Sequence, residues 1–214
     1  MKKLLLILLV SNTIFVGCSK EACYSCDSKV DAWVKENKTK LNSMNRQELS
    51  ELEVPYQKGA LRMFTPKRKK LLWKDKLNSV QKLPFSKLEK EHLQFIEQFL
   101  NNHDFKNLIP RELEEELLDW AMVGKDKFNW SESFIVKSFF LIGDIDDSSV
   151  IRKGVEDEED DGSGGVGGGQ GDPTCNCRYH LGCGPSWYCT SATCDETDEG
   201  CGFFGTSSCT GVCD

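Results

Sequence analysis

The sequence has few histidines and very little of the alternating pattern that is typical of β-strands. Its three histidines are His92, His103 and His180, and none is paired with a second ligand at metal-binding spacing. Glu89 lies three residues before His92, but a solvated helix face explains this pair more simply than a metal site does. No glycine-rich phosphate loop follows a strand, and no nucleophile stands in a recognisable catalytic setting. We therefore expect a protein that is not an enzyme, with no catalytic residue, no metal and no cofactor.

The chain also lacks an excess of basic residues. Its formal net charge is -7, and the acidic excess lies in the segment after residue 150 and in the carboxyl-terminal tail. We expect no nucleic-acid partner, because such partners select for a basic surface. One basic run, Lys67 to Lys70, is unfavourable near a helix start and predicts an acidic partner. Three candidates are the residues from Glu112 to Asp119, anionic lipid, and the carboxylates from Glu156 to Asp161.

The amino terminus is typical of an export signal. Lys2 and Lys3 precede an apolar run, and residues 15–18 read Phe-Val-Gly-Cys. This end resembles the bacterial lipobox, in which the cysteine is acylated and becomes the first residue of the mature protein. We therefore predict a lipoprotein signal peptide over residues 1–17, a lipid anchor on Cys18, and an exported protein in the bacterial cell envelope, at the outer membrane or cell surface. The alternative is an ordinary signal peptide cleaved near Gly17.

Cys23 and Cys26 follow within the anchor segment, residues 18–27. Their spacing fits a redox pair or half a zinc site, but neither the βαβ context of the first nor the extra ligands of the second is present. We therefore predict a small disulfide loop between them, outside the cytoplasm.

Residues 28–145 are predicted to form a small helical bundle or irregular array. Apolar residues recur at helical spacing, and helix-start signals punctuate the segment. These signals are Ser28, Asn45 with Glu48, Pro55, Thr65 with Pro66, Ser86 with Glu89, Pro110, and Ser131.

Residues 146–173 are predicted to be a disordered linker. Six consecutive carboxylates, Glu156 to Asp161, are followed by a stretch that is almost entirely glycine. The linker acts as a tether on this interpretation. Gly164-Gly165 and Gly168-Gly169 also resemble the double-glycine sites at which some bacteriocin leaders are cut, so proteolytic release of the tail is the second interpretation.

Eight of the eleven cysteines lie in the last segment, residues 174–214. So short a segment cannot bury enough apolar surface to fold by packing alone, and an even cysteine count in an exported chain predicts a disulfide-rich loop module. The paired cysteines would be Cys175, Cys177, Cys183, Cys189, Cys194, Cys201, Cys209 and Cys213. Zinc is the competing use of these thiols, but the tail has one histidine and no Cys-x2-Cys pair.

The tail opens with Cys175-Asn176-Cys177 and continues with cysteines next to glycines and aromatic residues. This pattern resembles fulvocin C, an eight-cysteine bacteriocin, and the chain is similar to the bacterial proteins grouped as bacteriocin fulvocin C-related. The resemblance implies an antibacterial or related exported module. The final spacing, Cys209-x3-Cys213, departs from the closer pair of the peptide.

The tail holds one basic residue, Arg178, against several acids, which argues against membrane disruption. A toxic tail would then need a protein or envelope receptor. Trp187, Tyr188, Phe203 and Phe204 could supply the contact area, or they could be partly buried against the disulfides. The alternative functions are a surface adhesin or binding module that does not kill, and an envelope redox sensor.

Overall fold

The described part of the chain is mainly helical, as predicted. The structure is a computed structural model that describes residues 22–25, 27–145, 189–191, 197–209 and 211–213. Within these ranges the α-helices are α1 (Ser28–Glu36), α2 (Lys38–Ser43), α3 (Arg46–Ser50), α4 (Val54–Met63), α5 (Pro66–Val80), α6 (Lys87–Asn102), α7 (Arg111–Phe128) and α8 (Glu132–Phe139). The predicted linker, residues 146–173, lies outside the described residues.

Most helices begin at the predicted signals. Asn45 and Glu48 form a complete capping box, in which the Asn45 side chain accepts from the Glu48 amide at 2.9 Å and the Glu48 carboxylate accepts from the Asn45 amide at 2.7 Å. Ser86 and Glu89 repeat this arrangement at the start of α6. The short helix α2 has no side-chain cap at its start, and the sequence signals did not predict it.

Aromatic rings fill the centre of the core. Trp120 and Trp130 meet at 5.6 Å between ring centroids, and His92 stacks on Trp120 at 4.9 Å. His92 Nε2 lies 2.9 Å from the Trp120 carbonyl oxygen, while Trp120 Nε1 donates to the His92 carbonyl at 2.9 Å. The buried Glu89 carboxylate accepts from Trp130 Nε1 at 3.0 Å. The interpretation of Glu89 and His92 as a solvated face is therefore wrong, because both contact the aromatic core.

Most residues of the basic run Lys67–Lys70 make contacts within the helical domain. Arg68 donates to the Leu41 and Met44 carbonyl oxygens at 2.9 and 2.6 Å, and Lys70 donates to the Asn101 carbonyl at 2.6 Å. These carbonyls lie at the carboxyl ends of α2 and α6, where cations are favourable. Lys69 is buried. The excess of positive charge is thus explained in large part by carbonyl groups rather than by an acidic partner.

Arg46 fixes the end of the helical domain. This buried guanidinium contacts Asp75 at 2.7 Å and Ser79 Oγ at 3.0 Å on α5, and it also pairs with Asp144 beyond α8. The chain is therefore held against α3 and α5 just before the described helical region ends at residue 145.

The described parts of the tail form two small antiparallel sheets. Strands β1 (Cys189–Ser191) and β4 (Gly211–Cys213) make one pair, and strands β2 (Thr197–Cys201) and β3 (Ser207–Cys209) make the other. A 3-10 turn, Phe203–Gly205, connects β2 to β3. Both this turn and β2 pack against helix α4, so part of the tail belongs to the helical core.

Candidate functional site

The turn between β2 and β3 has an unusual backbone. Gly202, Phe204 and Gly205 have positive φ values of 67°, 58° and 66°. A Cβ atom on Gly202 would come within 2.2 Å of Ser207 Oγ, so this position requires glycine. Phenylalanine rarely adopts a positive φ, and such a conformation persists only where the surrounding contacts impose it.

Those contacts come from the helical domain. Phe203 and Phe204 are 1% and 2% exposed. The Phe204 ring meets Trp73 edge-on and stacks on Phe99, both at 5.1 Å between centroids, and Phe203 lies 4.4 Å from Phe140. Edge-on and offset aromatic pairs contribute beyond simple burial of apolar area. The two rings therefore join the core formed by α5, α6 and the end of α8, and we call this contact the tail seat.

Polar contacts line the same seat. Ser207 Oγ donates to Glu114 Oε1 at 2.5 Å, and both side chains are buried. The Ile109 amide donates to the Thr206 carbonyl oxygen at 3.3 Å. Within the turn, Thr206 Oγ1 donates to the Phe203 carbonyl at 2.7 Å. A buried carboxylate is costly without a donor, so the Ser207 hydroxyl gives the seat polar specificity as well as shape.

The tail seat changes how two predicted binding residues are interpreted. Phe203 and Phe204 were candidates for contact with an external receptor, but in this structure their rings are covered by helices. Phe203 and Phe204 are buried, as in the alternative interpretation, but they pack against residues of the helical domain rather than against disulfides. Trp187 and Tyr188 lie outside the described residues, so their predicted role stays a prediction.

The predicted lipidation and disulfide residues lie partly outside the described chain. Cys18, Cys26, Cys175, Cys177, Cys183 and Cys194 fall there, together with the signal peptide. Cys23 is exposed, and its Sγ donates to the Ser25 carbonyl at 3.1 Å. The backbones of Cys189, Cys201, Cys209 and Cys213 are described and lie in the strands. All of these assignments stay predictions.

The described histidines, His92 and His103, do not lie in a metal-binding group. Among the described residues, no group of three or more His, Cys, Asp or Glu side chains is placed to hold a metal ion. His103 is half-buried between Phe99 and Phe105, with ring centroids at 5.1 and 4.8 Å. Burial lowers the pKa of His103, and that of His92, below the usual range.

Sequence reasoning missed Glu114 and the tail seat. The acidic run from Glu112 to Asp119 was considered as a partner for the basic run Lys67 to Lys70, yet Glu114 is 4% exposed. A signal was present, because Glu114 lies three residues before the buried Leu117 and seven before the buried Ala121, on the same helical stripe. The seat itself depends on contacts between distant segments, which no local pattern specifies.

No protein-family model matches this chain, and searches of curated proteins and of solved structures found no match either. Among the described residues, no helix combines the length and the apolar character that a membrane span requires.

Proposed function

We propose that this chain is an exported, lipid-anchored bacteriocin-related protein. In this proposal Cys18 carries the anchor, and the helical domain holds a disulfide-bonded tail that acts on an envelope receptor of another bacterium. The protein has no catalytic residue, cofactor or nucleic-acid partner on this account. The observation that carries the proposal is that one short segment combines eight cysteines with a turn seated in the helical core.

The tail seat supports a carrier role for the helical domain. A freely displayed module would leave Phe203 and Phe204 without contacts to the helical domain. Instead, helices of the domain cover Phe203 and Phe204. The residues that follow them, Thr206 and Ser207, make hydrogen bonds to the domain. A carrier that covers part of a module until that module is needed would have this arrangement.

The strand register supports one disulfide. Cys189 lies directly opposite Cys213 in the antiparallel pair β1–β4. Directly opposed residues have Cα atoms about 4.5–5.5 Å apart, which is within the range of about 4.4–6.8 Å that a disulfide spans. Cys201 and Cys209 instead face Ser207 and Thr197, so the register favours no bridge between those two.

We therefore predict a Cys189–Cys213 bridge in the exported protein. The two thiols would give up two protons and two electrons to the disulfide of a thiol oxidoreductase in the export compartment, which is reduced to its dithiol. Proteolysis of the full chain without reductant, followed by mass spectrometry, should yield one linked pair of peptides that contains these two residues. A bridge from Cys189 to any other cysteine would contradict the prediction.

The antibacterial proposal is tested with a soluble Cys18→Ser variant of the exported chain, which cannot be acylated at that residue. The variant is cut within residues 162–171, and the oxidised tail is separated under mild denaturant and applied to related bacteria. We expect growth inhibition of at least one strain and loss of inhibition after reduction and alkylation, because the bridges supply the tail's shape. No inhibition by a fully oxidised tail on any strain would contradict killing and favour the adhesin or binding module.

A further inference from the structure

The contacts of the tail seat all come from residues on either side of the predicted linker. The turn contributes Gly202 to Ser207, and the helical domain contributes helix α4 together with residues between Trp73 and Phe140. Among the described residues, the contacts of the seat join these two parts, which are covalently linked through residues 146–188. Cutting the chain within residues 146–188 would therefore remove none of these contacts.

We propose that the tail seat is a binding site that retains the tail after the chain has been cut. Its ligand is a turn that carries two adjacent phenylalanines and, three residues after the second, a serine; the occupant is this chain's own segment 202–207. The inference deepens the proposed function by naming what controls release. Its test measures retention alone and does not depend on killing.

The apolar half of the site supplies affinity. Phe204 touches aromatic rings on α5 and α6, and Phe203 touches Phe140 directly after α8. Loss of the tail would expose these rings together with the two phenylalanines, so water favours the occupied site. Phe139 also contributes, with its ring 6.5 Å from that of Phe204.

The polar half of the site supplies selectivity. Glu114 is buried and accepts from Ser207 Oγ, and the Ile109 amide donates to the Thr206 carbonyl. A turn without a hydroxyl at the position of Ser207 would leave the Glu114 carboxylate without this donor. The site therefore discriminates against such a turn, because a polar group buried without its partner costs free energy.

The backbone conformation of the turn is also specific to this site. Phe204 holds a φ of 58° between Gly202 and Gly205, which also have positive φ values. A phenylalanine seldom takes this conformation unless its surroundings impose it. The two flanking glycines allow the chain to enter and leave the site at these angles.

The experiment uses the full chain with a site-specific protease sequence in place of residues 164–169. After cleavage, the protein is passed over a size-exclusion column without denaturant, at micromolar concentration. We expect the two pieces to elute together, while a denaturing gel without reductant separates them. Joint elution with separation on the gel shows retention without a covalent bridge, and a Cys23→Ser, Cys26→Ser variant repeats the measurement without the upstream thiols.

Variants test whether the contacts of the tail seat retain the tail. Ser207→Ala removes one hydroxyl and should speed dissociation of the cut tail about tenfold, since a buried acceptor loses its donor. Leu88→Ala, at a side chain that is 65% exposed on α6, should leave dissociation unchanged. Circular dichroism confirms that each variant is folded before cleavage. Separation of the cut wild-type pieces, or equal dissociation rates for these two variants, would overturn the inference and leave the antibacterial test intact.

Discussion

Replacement of Phe204 with alanine is expected to lower the free energy of unfolding by about 3–5 kcal/mol, the usual cost of removing a fully buried phenylalanine ring. The ring is 2% exposed and contacts Trp73, Phe99 and Phe139. Its loss would leave a cavity at the junction of three helices. Urea unfolding followed by tryptophan fluorescence measures the change, and Leu88→Ala should alter the same quantity by less than about 0.5 kcal/mol.

A second substitution at this position separates the contribution of packing to stability from the contribution of backbone conformation. Phe204 has a φ of 58°, a region in which alanine is disfavoured by about 1–2 kcal/mol and glycine is not. Phe204→Gly should therefore be more stable than Phe204→Ala, although glycine is usually the less stable of the two in regular elements. A loss below about 1 kcal/mol for Phe204→Ala would contradict the seating of this ring in the core.

The stability of the helical domain is expected to rise as the pH increases from about 7 to about 10. Lys76 is 1% exposed, and burial, with Arg46 nearby, lowers its pKa from 10.5 to about 7. Its ammonium donates to the Gly143 carbonyl oxygen. Between these pH values the unfolded chain binds a proton that the folded chain does not, so stability increases with pH. Below pH 7 both states carry the proton, and the full penalty of burying the charge remains.

The size of this effect follows from the same shift. A pKa change of this magnitude corresponds to a gain of a few kcal/mol across the interval, with about 5 kcal/mol as the upper limit. Lys76→Met should remove most of the gain, because methionine has no proton to lose. Lys69→Met should remove a smaller part, since burial lowers the pKa of Lys69 to about 8.

Lys67→Met provides the matched control, because Lys67 lies exposed on the same helix. Urea unfolding at several pH values between 6 and 10 gives the slope for each variant. Equal slopes for the wild type, Lys76→Met and Lys67→Met would show that Lys76 is solvated in the folded state.

Local signals in the sequence predicted much of the helical domain. A capping box such as Asn45 with Glu48, or a cap followed by proline such as Thr65-Pro66, involves neighbouring residues only, so it can be recognised without the fold. Helix α2 was missed because it has six residues and no side-chain cap.

Charged residues on the inner faces were harder to predict. Lys69 and Lys76 lie on the same stripe of α5 as Leu72, Trp73 and Val80, so the helical period places them inward. A charged side chain is usually exposed to solvent, and the dense basic run favoured the prediction of an acidic partner. The structure satisfies such groups with backbone carbonyls or buries them, which depends on tertiary packing that a charge pattern does not contain.

The tail seat was the least predictable feature. Eight cysteines indicated a self-contained module, and within it Phe203 and Phe204 were candidates for receptor contact or for burial against disulfides. The pair between Gly202 and Gly205 gave no indication of its partners, because the Phe204 ring meets Trp73 and Phe99 across more than a hundred residues of chain. Contacts at such separation are set by the whole fold.

Nuclear Overhauser effects from the ring protons of Phe204 in the oxidised full-length chain test the seat most directly. Selective labelling of phenylalanine and tryptophan, with Phe204→Leu to assign the ring, identifies its neighbours. The seat predicts contacts from Phe204 to both Trp73 and Phe99, whose rings lie 5.1 Å away. Contacts from Phe204 to tail residues alone would contradict it, and with it the carrier role of the helical domain.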